Sequence, residues 1–334
     1  MKVQIGDYQK ANDNENFMSG KSALCTDGLK SEDPVLDPCK PVIRAVMACD
    51  KGYAMQLATA LRSIVEVNRS NWPIEFHVLS DGFLEATKEK VRNSLPEGSA
   101  SIRWVPIDLS HFQEFWTRDD VSKMTFARLL IPKAFPNTVS KVLYMDTDIL
   151  VLDDLKPLWE TNLEGVILGA VLDNLDPHFK SGNPGYEEAP RVANYFNAGV
   201  MLINLDLWRK EQVSEKALAY MNKHRRTPFM DQDALNVVCD GRWKRLDQRW
   251  NFHDCWSRNI GSMNPYNRPA IAHFVSTMKP WNASLLSVNA CLYDYFRSRT
   301  CFAKTQWEKL MDGLKRFWAR LMRFLRQNVS RAMR

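Results

Sequence analysis

The stretch "KVLYMDTDILVLDDL" (residues 141–155) sets an apolar run directly against four carboxylates. Residues 141–145 read as a buried strand, and Asp146, Asp148, Asp153 and Asp154 follow within nine positions. Like charges repel one another and are costly to desolvate, so such a strand needs compensation close to its end. Two carboxylates at i and i+2, at the exposed carboxyl end of a strand, can share a hard cation that itself holds phosphate oxygens. The same residues also suit a plain strand end followed by a helix-capping Asp, because D-x-D is short enough to recur by chance.

Working outward, "PVIRAVMACD" (41–50) is an apolar strand ending at Asp50, and residues 53–70 carry helical spacing through Leu57, Leu61, Ile64 and Val65. "IEFHVLSDG" (74–82) reads as a strand, "FLEATKEKVRNSL" (83–95) as a helix and "ASIRWVPID" (100–108) as a strand. Strands alternating with helices predict an α/β fold, a mostly parallel central sheet flanked by helices. Ligands sit at the carboxyl ends of strands in such sheets, and Asp50, Ser80, Asp81, Asp146 and Asp148 all fall there. Downstream, "GVILGAVLDN" (165–174) and "GVMLINLD" (199–206) read as strands around a Pro/Gly loop at 176–190, with helices over 207–224 and 231–239. No internal repeat interrupts the pattern, which predicts one domain over 41–285.

Composition limits the function classes. The 334 residues are 45% hydrophobic and 25% charged, an ordinary globular balance with ample material for a core. No apolar run approaches the roughly 20 residues of a membrane span, and the amino-terminal region lacks an apolar signal core, so the expectation is a cytoplasmic protein. Seven cysteines without a C-x-x-C pair predict reduced thiols, not a disulfide framework or a cysteine zinc site. Residues 1–40 are polar with few aromatics and are expected to be a largely disordered leader.

Residues 286–334 are expected to be a helical tail. From 305 onward, eight basic residues (Lys309, Lys315, Arg316, Arg320, Arg323, Arg326, Arg331, Arg334) face only Glu308 and Asp312, so this segment carries the whole formal excess of +6. The balanced remainder argues against a broad nucleic-acid surface. Leu310, Leu314, Phe317, Trp318, Leu321, Phe324 and Leu325 recur at helical steps between the cations, which predicts an amphipathic helix suited to an anionic membrane surface. A helix packed on the domain is the plainer alternative.

Five blocks decide among the readings of the D-x-D pair: "AVMACDKGYA", "MTFARLLIPKAFPNTVSKVLYMDTDILV", "YFNAGVMLINLDLW", "FMDQDALN" and "HFVSTMKPW". In this order the chain resembles glycosyltransferase family 8, the retaining nucleotide-sugar transferases that include glycogenin and bacterial lipopolysaccharide galactosyl- and glucosyltransferases. The resemblance implies a GT-A type, Rossmann-like fold. It also implies nucleotide contacts from Ala48, Asp50 and Tyr53, with Asp50 on uracil. Arg128, Asp146, Thr147 and Asn197 would meet the donor sugar and diphosphate, and Lys279 the diphosphate oxygens. Asp146, Asp148 and His273 would bind Mn²⁺, with Mg²⁺ as the alternative, a donor set that suits borderline chemistry. Asp231 and Gln232 would grip sugar hydroxyls, with Gln232 near the anomeric carbon and Asp233 a further catalytic candidate.

Each assignment has a plainer counterpart. Asn197 beside Gly199 could form a turn, Asp231 could cap a helix, and His273 could be a core histidine. His77, His111, His178, His224 and His253 lie outside the informative motifs and read as structural or surface groups; Asp153 and Asp154 read as caps. Gly52 and Ser276 depart from the family pattern, which often has Asn and Gly there. The expected function is transfer of glucose or galactose from a UDP-sugar to a carbohydrate acceptor with retention. The expected acceptor is a lipopolysaccharide or lipooligosaccharide core or similar glycolipid, reached from the cytoplasmic face of the inner membrane. A degenerate membrane scaffold and a haloacid-dehalogenase-like phosphatase are the alternatives. The phosphatase pattern wants Thr or Val where Leu150 stands, and a strand near the start of its fold.

Overall fold

The computed structural model describes residues 41–119, 121–174, 190–275, 277–282 and 287–332, with side chains as far as Leu325. The leader, His178, most of the Pro/Gly loop and Ser276 lie outside the described residues. β1 (Ile43–Asp50), α1 (Ala54–Val67), β2 (Ile74–Asp81), α2 (Glu85–Arg92) and β3 (Ser101–Pro106) follow the expected alternation. With β4 (Lys141–Met145), β6 (Leu168–Leu172), β7 (Phe196–Asn204) and β8 (Trp243–Arg245) they form a seven-stranded sheet of order β3-β2-β1-β4-β7-β6-β8. Only β7 runs against its neighbours β4 and β6; the other pairings in this sheet are parallel.

Alternation along the strands builds two apolar layers. Ile43, Ala45, Met47 and Cys49 of β1, with Leu143 and Met145 of β4, pack on the Leu57, Leu61 and Ile64 face of α1. The intervening Val46, Ala48, Val142 and Tyr144 pack on the opposite side, against α5 (Val213–Lys223) and α6 (Asp231–Val238). Burial on both faces explains why the strands are apolar almost throughout instead of alternating with polar residues.

The helix expected over 207–224 is broken. α4 (Leu205–Lys210) and α5 are separated by Gln212, which takes the left-handed conformation at φ 53°. The break lets Trp208 Nε1 donate to Ser214 Oγ at 2.9 Å, and Ser214 in turn donates to the Leu129 carbonyl at 2.7 Å. This pins the corner to a 3-10 segment, Lys123–Ala134, which carries Arg128.

A second, two-stranded sheet follows the acidic motif, with β5 (Ile149–Val151) antiparallel to β9 (Ile271–His273) and Ile149 opposite His273. The buried Ser63 hydroxyl of α1 accepts from Val151 N at 2.9 Å and so locks β5 against the domain.

α7 (Ala290–Arg297), which the sequence reading counted with the tail, buries Ala290, Tyr293 and Phe296. α8 (Gln306–Ala332) opens on a capping box. Thr305 N donates to Glu308 Oε2 at 2.7 Å, and Glu308 N returns a bond to Thr305 Oγ1 at 3.2 Å. The nearly buried Lys304 clasps the junction, 2.7 Å from Asp294 and 2.9 Å from Asp312. Beyond the clasp the apolar stripe is uncovered, with Phe317 60%, Trp318 59% and Phe324 61% exposed. Among the described residues, no helix is long and apolar enough to cross a membrane.

Candidate active site

The carboxyl ends of β4 and β9 bring three ligand-type groups together. One ligand atom from each of Asp146, Asp148 and His273 lies within 4.8 Å of the others. His273 Nε2 is 3.1 Å from Asp148 Oδ1 and 3.8 Å from Asp146 Oδ2. The approach depends on Gly199 of β7, whose carbonyl accepts from Asp146 N at 2.8 Å. A Cβ on Gly199 would stand 2.2 Å from His273 Cε1 and 2.8 Å from Asp146 Oδ2.

Which face His273 turns to the carboxylates is set by a chain of hydrogen bonds. The Asp173 carboxylate can only accept, so Asn197 presents Nδ2 to it at 3.0 Å. Asn197 Oδ1 therefore accepts Asn251 Nδ2 at 2.9 Å, and Asn251 Oδ1 faces His273 Nδ1 at 2.8 Å. An acceptor there requires Nδ1 to carry a proton, so Nε2 is the nitrogen that meets Asp146 and Asp148. Two carboxylates and this Nε2 converge in the arrangement of a histidine metal ligand oriented by its second nitrogen. The donor set therefore fits a divalent cation.

Further cations flank the carboxylates. Tyr144 Oη donates to Asp146 Oδ1 at 2.6 Å, and Arg128 donates to the same oxygen at 3.2 Å from above the Tyr144 ring. Lys279 Nζ lies 2.7 Å from Asp148 Oδ2 and also donates to the Phe274 carbonyl. Burial opposes the charge on Asp148, but Lys279 and His273 outweigh it and hold the carboxyl well below the usual range. These groups answer the electrostatic demand of the acidic stretch.

Around this centre, Asp231 opens α6 but turns its carboxylate inward instead of capping the helix. Its Oδ1 accepts Thr125 Oγ1 at 2.7 Å, while Oδ2 lies 3.0 Å from Arg128 Nε. That N–H is aimed at the Thr125 carbonyl, so the pair is coulombic and not a hydrogen bond. Burial raises the Asp231 carboxyl above the usual range against the pull of Arg128. Gln232 Oε1 accepts Ala198 N at 2.9 Å and its Nε2 donates to Asp173 at 3.1 Å. Asp233 is fully buried and accepts from Tyr195 Oη and Phe229 N, both at 2.6 Å; burial pushes its carboxyl up to about 6.

A sequence model of glycosyl transferase family 8 matches residues 44–284 of the chain. The chain belongs to glycosyltransferase family 8. A putative glycosyltransferase of Haemophilus influenzae is 32% identical over 213 residues, which are 62% of this chain and 62% of that relative. The lipopolysaccharide 1,3-galactosyltransferase of Salmonella typhimurium is 24% identical over 70% of this chain and 71% of its own length. Among solved structures, the galactosyltransferase LgtC in complex with donor and acceptor sugar analogues matches with a TM-score of 0.68 at 29% identity, over 79% of this chain and 99% of that one. The fold is accordingly GT-A type, and the protein is a glycosyltransferase.

At the carboxyl end of β1, Asp50 Oδ1 accepts Gly52 N at 2.9 Å and Oδ2 accepts Ser122 Oγ at 3.1 Å. Tyr53 meets Trp281 edge-on, with centroids 6.3 Å apart. Ala48 and Thr147 are small buried side chains beside the two acidic strand ends. Asp153 pairs with Arg69 and Arg249, and Asp154 accepts Lys156 N at 2.8 Å, so neither joins the three-residue centre.

Thr125, Asp173 and Asn251 are not singled out by the sequence, where Gly199 reads only as a turn neighbour of Asn197 and His253 only as a structural or surface group. Asp173 follows the end of β6 and obeys the strand-end rule that singled out Asp50 and Asp146. Asn251 and His253 belong to "RWNFHD", which carries no such signal. His253 is no surface group: it is buried and stands edge-on to His273 with centroids 5.9 Å apart, and burial pushes its imidazole down to about 4.

Replacing Gly199 by Ala forces His273 and Asp146 apart. The expected result is a loss of Mn²⁺ affinity of roughly 10–100-fold, the scale of damage to groups that orient metal ligands, read by electron paramagnetic resonance titration. Wild-type affinity in Gly199→Ala would contradict the placement of the cation at this triad.

Proposed function

We propose that the chain transfers glucose or galactose from a UDP-sugar to a carbohydrate hydroxyl, with retention at the anomeric carbon. The observation that carries this reading is the convergence of Asp146, Asp148 and the Nε2 face of His273 beside Lys279 and Arg128, within a family-8 domain. Asp146, Asp148 and His273 would hold Mn²⁺, with Mg²⁺ as the alternative. A divalent cation bound there supplies a fixed positive charge for the diphosphate and for the charge that develops as UDP departs.

The chain's own residues supply the rest. Asp50 and Tyr53 receive the base, with Ala48 and Thr147 shaping the floor. Lys279, 22% exposed at its side chain, shares its charge between Asp148 and the diphosphate. Arg128 and Asp231 form a buried ion pair that presents fixed charge to the donor sugar, with Asn197 alongside.

Retention requires either a protein nucleophile or attack from the face the leaving group vacates. Gln232 is neutral, with both ends of its amide engaged. Asp233 has both oxygens committed to Tyr195 and Phe229, a positioning role at the start of α6. These contacts support same-face attack, in which a departing phosphate oxygen takes the acceptor proton.

Proton NMR of UDP-galactose and UDP-glucose incubated with the protein and Mn²⁺ tests the reaction through slow transfer to water. The α-hexose is expected to appear first. β-hexose first would exclude retention, and release from neither donor would contradict the assignment.

The acceptor we propose is a glycolipid of the lipopolysaccharide-core type, met at the cytoplasmic face of a membrane where the protein binds peripherally. The uncovered Phe317, Trp318 and Phe324, interleaved with Lys315, Arg316, Arg320 and Arg323, support this reading, since aromatic and cationic groups on one helix suit an anionic bilayer surface. Removing residues 306–334 should lower sedimentation with phosphatidylglycerol liposomes, most strongly at low salt. Equal partitioning of the two forms would sink the membrane reading.

A further inference from the structure

The 3-10 segment Lys123–Ala134 winds three residues to the turn, and Ser122 caps its amino end. Side chains at 122, 125 and 128 therefore share one face, and each meets a different carboxylate at the site. Ser122 Oγ donates to Asp50 Oδ2 at 3.1 Å, Thr125 Oγ1 to Asp231 Oδ1 at 2.7 Å, and Arg128 Nη2 to Asp146 Oδ1 at 3.2 Å. An α-helix, with about 3.6 residues per turn, would rotate the third of these side chains away from the first.

Thr125 sits at the middle of this face and holds two neighbours at once. A hydroxyl has one proton to give, and here it goes to Asp231, which leaves the oxygen to accept Arg128 Nη2 at 3.3 Å. The Thr125 carbonyl separately accepts Arg128 Nε at 3.1 Å. Asp231 Oδ2 has no hydrogen-bond donor among the described residues. Attraction to Arg128, 3.0 Å away, therefore draws the carboxylate in, and the directional bond from the Thr125 hydroxyl sets how it is turned. Burial drives the Asp231 carboxyl above its ordinary range, and Arg128 and the Thr125 hydroxyl are among the groups that oppose it. Hydrogen bonds to a buried charge are the stronger class, so this one hydroxyl has leverage over the carboxylate.

We propose that Thr125 is a positioning residue for the donor sugar: its hydroxyl aims the Asp231 carboxylate at the hexose without itself touching it. The inference rests on the proposal above that Asp231 and Arg128 face the donor sugar. Valine at this position keeps the shape and the backbone carbonyl, so Arg128 retains its bonds to that carbonyl and to Asp146. What valine removes is the donor to Asp231. The damage should therefore fall on recognition of the hexose and spare the nucleotide.

The test is calorimetric titration, with Mn²⁺, of UDP, UDP-galactose and UDP-glucose into wild type, Thr125→Val, Thr125→Ser and Asp231→Ala. The combined Thr125→Val and Asp231→Ala variant completes a double-mutant cycle. Thermal midpoints of every variant confirm the fold, and Thr125→Ala carries the same expectation if the valine variant does not fold. Thr125→Val is expected to weaken the UDP-hexose that wild type prefers about tenfold, the scale of one hydrogen bond to a charged group, while leaving UDP affinity unchanged. Thr125→Ser should recover most of the loss, and Thr125→Val should add nothing once Asp231 is alanine. An equal loss for UDP and UDP-hexose, no loss at all, or an undiminished loss in the Asp231→Ala background would overturn the positioning role while leaving hexosyl transfer standing. Wild-type affinity for UDP-hexose in Asp231→Ala would instead remove the reading of Asp231 as a sugar contact, and the positioning role with it.

Discussion

The arrangement of the site depends on one chain of hydrogen bonds, from Asp173 through Asn197 and Asn251 to His273. A carboxylate at one end fixes the orientation of two amides in turn, and the last amide fixes the imidazole tautomer. Without that polarity, Nδ1 would not be held as a donor to Asn251 and the ring could turn. With it, Nε2 is the nitrogen that meets the two carboxylates, where a divalent cation can take the place of its proton. Gln232 and Gly199 feed the same chain: Gln232 donates to Asp173, and Gly199 N donates to Asn197 Oδ1 at 2.9 Å.

The sheet explains how so many polar groups are held together in an apolar fold. β4 and β7 lie side by side and antiparallel, so Asp146 at the end of one strand meets Gly199 near the start of the other. Apolar layers on both faces make these strands rigid, which keeps the strand-end groups in place without mutual contacts alone having to do so. The short β5–β9 pair sets Ile149 opposite His273 and so brings Asp148, the residue before β5, within 3.1 Å of His273 Nε2. Charge is balanced locally: Arg128 serves Asp146 and Asp231, and Lys279 serves Asp148.

Much of this was legible in the sequence, for physical reasons that differ by element. β1, α1, β2 and β4 were readable because apolar periodicity and length agree there, and their boundaries fall within a few residues of the expected ones. The break at Gln212 was not, since a left-handed residue other than Gly leaves no mark in an amphipathic pattern that continues past it. β5 and β9, three residues each, are too short for periodicity to register. Asp146, Asp148 and His273 could be picked out because motif and strand end coincide. Asn251 could not, because its importance lies in an amide's orientation, which only the three-dimensional network determines. His253 shows the same limit: its burial beside His273 and its unpaired nitrogen are properties of packing.

The most direct test is calorimetric titration of UDP into the protein with Mn²⁺ and with chelator, for wild type and for Asp148→Asn. The account predicts binding that requires the metal and is lost in the variant. Equal binding with chelator, or binding preserved in Asp148→Asn, would contradict a nucleotide diphosphate held through the Asp146–Asp148–His273 centre.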